Sequence, residues 1–332
     1  AQWGLTDRFS VIGSYQRDRK RTEINPVGGY FSTTDILGPG GSFLIVNLPP
    51  IPGLPPSVNV ARNSDLDPSD SGQWGSGIRY LFGEASELSF YYITYHDKNP
   101  TGAQFSNPGI LQVITGQSRY QALYVDDIKM MSAALSTELL GSAIGAEISY
   151  RDGAGLTVNA PGLAGALSPT VTRGNVWQGN LNATKLFLPT ALWDSLTVLG
   201  EVSYLHVQDV DAIVVPATLT APEARYADLS NTRDATAIQF LVQAGYKQVF
   251  AGWDLTLSLV NGYDLSGKSS ISGALGSYTG KGDIRYAVGG ALKYLNNLEL
   301  GLTYNGYAGG ASLENRTLAD RSYAAFNAKY SF

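Results

Sequence analysis

Apolar and polar residues alternate strictly at the end of the chain. Over residues 323–332, Ala324, Phe326, Ala328, Tyr330 and Phe332 fall on one face, while Asn327, Lys329 and Ser331 fall on the other. A period of two marks a strand with one apolar and one wet face. The pattern recurs at Leu298, Leu300, Leu302 and Tyr304, at Trp253, Leu255, Leu257 and Leu259, and at Ile238, Phe240 and Val242. Further copies fall at 285–294, 197–204, 177–187, 144–151 and 132–139, with weaker ones at 86–97, 73–82 and 3–17. Aromatic residues gather near the segment ends. The connections alternate in length. Short turns are expected near 83–86, 140–141, 188–195, 251–252 and 295–296. Long loops are expected over 18–72, 98–129, 152–174, 210–236, 265–283 and 308–322. This alternation, with aromatic belts, predicts an all-β, antiparallel transmembrane β-barrel with short periplasmic turns and long extracellular loops. Counting back from the last strand gives about twelve strands in one domain, provided that Tyr120–Val125 belongs to a loop and does not span.

Composition sharpens this picture. Charged residues make up 15% of the 332, and the chain has 38 Gly, 20 Tyr, 2 His and no Cys. Globular chains average about 25% charged residues. No stretch of 18 or more apolar residues occurs, so a closed barrel is the membrane architecture available. No signal peptide is recognisable at Ala1. Zero Cys removes disulfides and thiolate chemistry. A net charge of -5 argues against nucleic acid as a partner.

Candidate chemistry is sparse. His96 and His206 stand far apart, and no Gly-x-Ser-x-Gly, HExxH or Walker motif accompanies them. An enzyme is therefore not expected, and neither is a cofactor or a metal. Asp65, Asp67 and Asp70 lack the Gly and the closing Glu of a calcium loop. Lumen parity collects Arg79, Glu138, Glu147, Arg151, Glu201, Lys247, Asp254, Arg285, Lys293, Glu299 and Lys329. They read as an ion-pair network, or more sharply as a selectivity constriction. Arg17, Arg19, Lys20 and Arg21 follow the first strand at its external end. They read as a solvated run, or as a contact for lipopolysaccharide phosphates. The segment with Phe43, Leu44, Ile45, Val46, Leu48, Ile51 and Leu54 is apolar, yet Pro49, Pro50, Pro52, Pro55 and Pro56 obstruct a central strand there. It is expected to fold into the barrel mouth or lumen, as a plug or as the lining of a hydrophobic cargo path.

Several runs go further. Pro26-Val27-Gly28-Gly29-Tyr30-Phe31-Ser32-Thr33-Thr34-Asp35-Ile36-Leu37-Gly38, Ser69-Asp70-Ser71-Gly72-Gln73-Trp74-Gly75, Tyr124-Val125-Asp126-Asp127-Ile128, Gly145-Ala146-Glu147-Ile148-Ser149-Tyr150-Arg151 and Asp320-Arg321-Ser322-Tyr323 stand in an order and spacing that resembles one family. It is the Gram-negative outer-membrane family known as domain of unknown function thirteen-hundred-and-two. Val125 and Asp126 stand where that family usually has Pro and Glu. Its members are typically longer, so the chain reads as the C-terminal part of a larger barrel, and twelve strands is a lower bound. The closing Tyr330 and Phe332 resemble the C-terminal signal read by the barrel assembly machinery.

The resemblance implies a setting in trans-envelope export, beside a periplasmic lipid-carrier-like protein and an inner-membrane RND-type permease. The expected function is export or transfer of hydrophobic, lipid-like molecules across the outer membrane, in contact with its lipid and lipopolysaccharide. Two alternatives are a passive channel for small apolar or aromatic compounds and a structural or assembly barrel with a plugged lumen.

Overall fold

The computed structural model describes residues 1–48, 50–217, 221–276, 279–295, 297–312 and 314–331. Its strands begin with β1 (Gln2–Gly4), β2 (Phe9–Gln16), β3 (Phe43–Asn47), β4 (Ser57–Arg62), β5 (Gln73–Phe82) and β6 (Ser86–Tyr95). Next come β7 (Gly102–Ser106), the short helix α1 (Ile110–Ile114), β8 (Arg119–Leu123), β9 (Ile128–Leu139), β10 (Ser142–Pro161), β11 (Leu167–Phe187) and β12 (Ser195–Val210). The chain ends with β13 (Ile213–Val215), β14 (Ala224–Tyr226), β15 (Asp234–Phe250), β16 (Trp253–Ser266), β17 (Ile284–Tyr294), β18 (Leu298–Ala308) and β19 (Tyr323–Tyr330).

Thirteen of these strands form one antiparallel sheet in the order β1-β2-β5-β6-β9-β10-β11-β12-β15-β16-β17-β18-β19. The sheet is the wall of an outer-membrane-type β-barrel. Only the stub β1 is too short to span. The segment 3–17 is a hairpin rather than one strand, because the Thr6 hydroxyl accepts the N–H groups of Arg8 and Phe9 and turns the chain. The short turns fall where alternation stops. At the β9–β10 turn Leu140 and Gly141 sit at φ 54° and 67°, the left-handed pair that a two-residue hairpin turn requires.

The outer face carries the apolar parity. Leu181, Leu257, Val288, Leu302 and Phe326 are exposed there, as residues that meet lipid must be. Ladder register puts Tyr150, Trp177, His206 and Asp234 on one level near the external end. Trp253, Tyr294, Leu298 and Tyr330 share another level at the opposite end. From Trp177 to Phe187 the strand rises roughly 33 Å, and a tilt of about 40° reduces this to roughly 25 Å, the height of an apolar band. Tyr330 thus ends β19 in the periplasmic girdle, while Phe332 lies outside the described residues.

The external side is built up. The stretch 152–174 is largely strand rather than loop. Asp152 and Gly153 together face Asn175 in a bulge between Arg151 and Ala154, with Gly153 at φ 74°. The extra residue moves the inward side chains from odd to even numbers, so Leu156, Val158 and Ala160 are buried and the period seen upstream is broken. The resulting ribbon stands above the wall.

A four-stranded sheet in the order β3-β4-β8-β7 packs beside this ribbon. It encloses a small core of Leu48, Val60, Ala103, Val113 and Tyr120, to which Leu163 at the ribbon tip contributes. The apolar, Pro-rich segment is part of this cap. β3 is its edge strand, where prolines in the following connection break no ladder. β8 covers Arg119–Leu123, so Tyr120 belongs to the cap and does not span.

Candidate functional site

The external end of the lumen is narrowed from one side. Leu156, Val176, Leu205, Val207, Ala235 and Ala237 form an apolar floor with Leu275, from the loop between β16 and β17. The inward Gln178 donates from Nε2 to the Ala274 carbonyl at 2.7 Å, which latches that loop across the wall. Beside the latch lies a cavity of about 1000 Å³. Its lining mixes charged and hydroxyl groups (Asp97, Lys268, Thr279, Thr317) with apolar and aromatic ones (Ile271, Leu318, Phe31, Tyr307, Tyr323).

Position in the sheet gives this cavity its interest. Phe31 follows β2, and Tyr323 opens β19. Their rings meet edge-on at 5.2 Å, and Arg321 donates to the carbonyls of Tyr30 and Ser32 at 2.6 and 2.7 Å. The loop after β2 therefore meets the start of β19 at the external rim. Among the described residues no ladder joins β1 or β2 to β19, and β19 is exposed along its whole length. The cavity lining runs from Gly155 and Thr157 on β10 to Tyr323 on β19.

Two acids shape the inner wall. Asp283 is buried, and its Oδ2 accepts from the Thr279 N–H at 2.9 Å, the Thr279 hydroxyl at 3.1 Å and Arg285 at 2.7 Å. Asp264 is 2% exposed, and its Oδ1 has no hydrogen-bond partner. Nearer the cap, burial pushes the Asp97 carboxyl up to about 6, although Thr101 donates to it at 3.2 Å.

The lumen charges separate into local partners and one row. Arg79 is paired with Glu87, Arg151 donates to Gln178 at 2.8 Å, and Glu201 accepts from Gln239 at 2.9 Å. Arg285 belongs to the mouth. Glu138 and Glu147 are exposed inside the wall. At the periplasmic end, register sets Asp254, Lys293, Glu299 and Lys329 side by side across four strands, with alternating sign. Lys247 sits at the neighbouring bulge, where its N–H donates to Asp194 at 2.6 Å. The strand alternation identified these residues, but only the register reveals the row.

The basic run after β2 is not a free cluster. Arg19 is bonded to Asp67 at 2.7 Å and to the Asp97 carbonyl, and its side chain is 3% exposed. Arg21 is held by Asp65 and Asp67, and both guanidinium groups lie over the Tyr124 ring. Bonding to Arg21 and Arg19 holds the Asp67 carboxyl below its ordinary range. Asp65 and Asp67 thus consume two of the four basic residues expected at lipopolysaccharide. Arg17 and Lys20 remain exposed.

The apolar segment divides by parity. Leu44, Val46 and Leu48 face the cap core, while Phe43, Ile45 and Ile51 are exposed and Leu54 is half-buried. The cavity lining includes none of them. His96 is buried, with Nδ1 accepting the Asp127 N–H and Nε2 facing the Ser71 carbonyl at 2.9 Å. His206 faces outward and meets Asp234 at 2.8 Å. Asp264 itself escaped the sequence reading because it ends a strand beside a stretch read as loop; a lumen-parity acid next to Gly262 is the available signal.

A family model described as "Protein of unknown function (DUF1302)" matches residues 1–332. No curated protein matches the chain. Among solved structures, the chain is similar to "Outer-membrane expressed OmpT of Vibrio cholerae", at 11% identity and a TM-score of 0.38, covering 98% of this chain and 77% of that one.

Proposed function

Since the chain belongs to that family over its whole length, we propose that it transfers amphipathic, lipid-like molecules across the outer membrane of a Gram-negative bacterium. The polar head would occupy the mouth cavity, and the tail would lie against its apolar lining. One observation carries this reading. A cavity of mixed lining, within the size range of small-molecule sites, lies at the external mouth of the wall. An amphiphile matches both halves of that lining, because hydroxyl and charged groups take its head while Phe31, Ile271, Tyr307 and Leu318 take its tail.

The family resemblance adds a periplasmic lipid carrier and an RND-type permease as partners. The test is lipid mass spectrometry of the purified protein together with co-purification from native membranes. A retained amphiphile distinct from bulk lipid, and a co-purified permease, are expected; bulk lipid alone would contradict the reading.

A second reading, a structural barrel with a closed lumen, is favoured by the Gln178–Ala274 latch. It gives no single-channel conductance in planar bilayers and no retained amphiphile.

A further inference from the structure

The two acids of the mouth are not equivalent. Asp283 accepts at Oδ2 from Thr279 and pairs there with Arg285, so its charge is compensated. Asp264 projects from the inward face of β16 near its external end, with its backbone N–H bonded to the Asp283 carbonyl at 3.0 Å. Its Oδ1 has no hydrogen-bond partner, although the residue is 2% exposed and lines the cavity. The Thr317 hydroxyl on the same lining is also buried without a partner.

Buried polar groups are almost always paired, and an unpaired one is costly. In its ionised form a carboxylate accepts only, and its missing partner is then a donor. The cations of the cavity do not supply it. Arg285 is engaged by Asp283, and Lys268 Nζ donates to the Glu314 carbonyl at 2.7 Å. Lys98 lines the cavity from the loop after β6 but forms no ion pair with Asp264.

We infer that Asp264 and Thr317 form a subsite for an ammonium group, carried by the head of the amphiphile. A neutral hydroxyl would satisfy the hydrogen bond alone, whereas an ammonium also brings the countercharge that a buried carboxylate needs to stay ionised. An ammonium has three N–H donors, enough to reach Asp264 Oδ1, Thr317 Oγ1 and one further acceptor. The inference rests on the transfer reading above and gives its head group a chemical class.

The test compares lysophosphatidylethanolamine with lysophosphatidylglycerol of the same acyl chain, titrated into the detergent-purified protein. The two differ in an ammonium against a hydroxyl head. Hydrogen bonds to charged groups contribute enough for a preference of at least about tenfold for the ethanolamine lipid. Asp264→Asn keeps the side-chain shape and is expected to abolish the preference; Thr317→Val is expected to reduce it. Heat-modifiable mobility on gels verifies that each variant is a folded barrel.

Equal binding of both lipids by the wild type would overturn the ammonium inference and leave the transfer reading standing. So would a preference that survives Asp264→Asn in a folded barrel. Binding of neither lipid would overturn both. Competition by free ethanolamine would assign the subsite to soluble amines, and dependence on the acyl chain to a lipid head.

Discussion

The ring of Phe31 meets the ring of Tyr323 edge-on at 5.2 Å, joining the loop after β2 to the start of β19. With the Arg321 bonds to Tyr30 and Ser32, this contact clips the two ends of the sheet at the external rim. Among the described residues no ladder joins β1 or β2 to β19.

Removing the clip should loosen the rim and spare the wall. Phe31→Ala is expected to cost about 1–3 kcal/mol, from lost burial and the aromatic pair. Thermal melts of reconstituted protein measure it. Melting unchanged in both Phe31→Ala and Arg321→Ala would deny the contact any structural role.

The lipid-facing parity is tested at mid-strand. Leu257 is exposed on the outer face and neighbours Ala244 and Gly290 in register. Leu257→Arg is expected to cost roughly 2–4 kcal/mol near the bilayer midplane, and the inward Ser258→Ala far less. Equal tolerance of both in a lipid folding assay would reverse the assignment of faces.

These two sites also separate what could be read in the chain from what could not. Leu257 and its neighbours alternate because one side meets lipid and the other water, so the residues alone place the strand. The β10–β11 ribbon hid because the bulge at Gly153 shifts its parity and the loop that carries Leu275 covers Leu156. The cap sheet hid because strands of five or six residues with prolines between them resemble loop. Arg19 and Arg21 were visible as charges, but their partner Asp67 is remote in sequence and brought near only by the fold.

The periplasmic charge row should respond to salt. Asp254, Lys293, Glu299 and Lys329 alternate in sign across neighbouring strands. Lys293→Glu places three acids together and is expected to cost about 0.2–1 kcal/mol per pair at low ionic strength, less at high salt. Unfolding measured at two salt concentrations checks this, and a salt-independent cost would show that the row does not interact.

Asp97 should make the cap sensitive to pH. Its folded value lies near 6, above the ordinary 3.8, because burial disfavours the charge. The folded state therefore holds its proton more tightly, and stability falls as pH rises between those values. Asp97→Asn is expected to stabilise the loop at pH 8 and to change nothing at pH 3. Hydrogen exchange at Thr101, whose N–H donates to Leu123, reports it; the opposite order of pH dependence would refute the burial argument.

Photo-cross-linking in native membranes tests lipid transfer through the mouth cavity most directly. A benzophenone amino acid is placed at Tyr323, beside the cavity, or at Leu257, on the ordinary lipid face. Mass spectrometry then identifies the attached molecules. The expected result is an amphiphile captured at Tyr323 and missing at Leu257, where bulk membrane lipid is found. The same lipids in the same proportions at both positions, or no capture at Tyr323, would contradict the account.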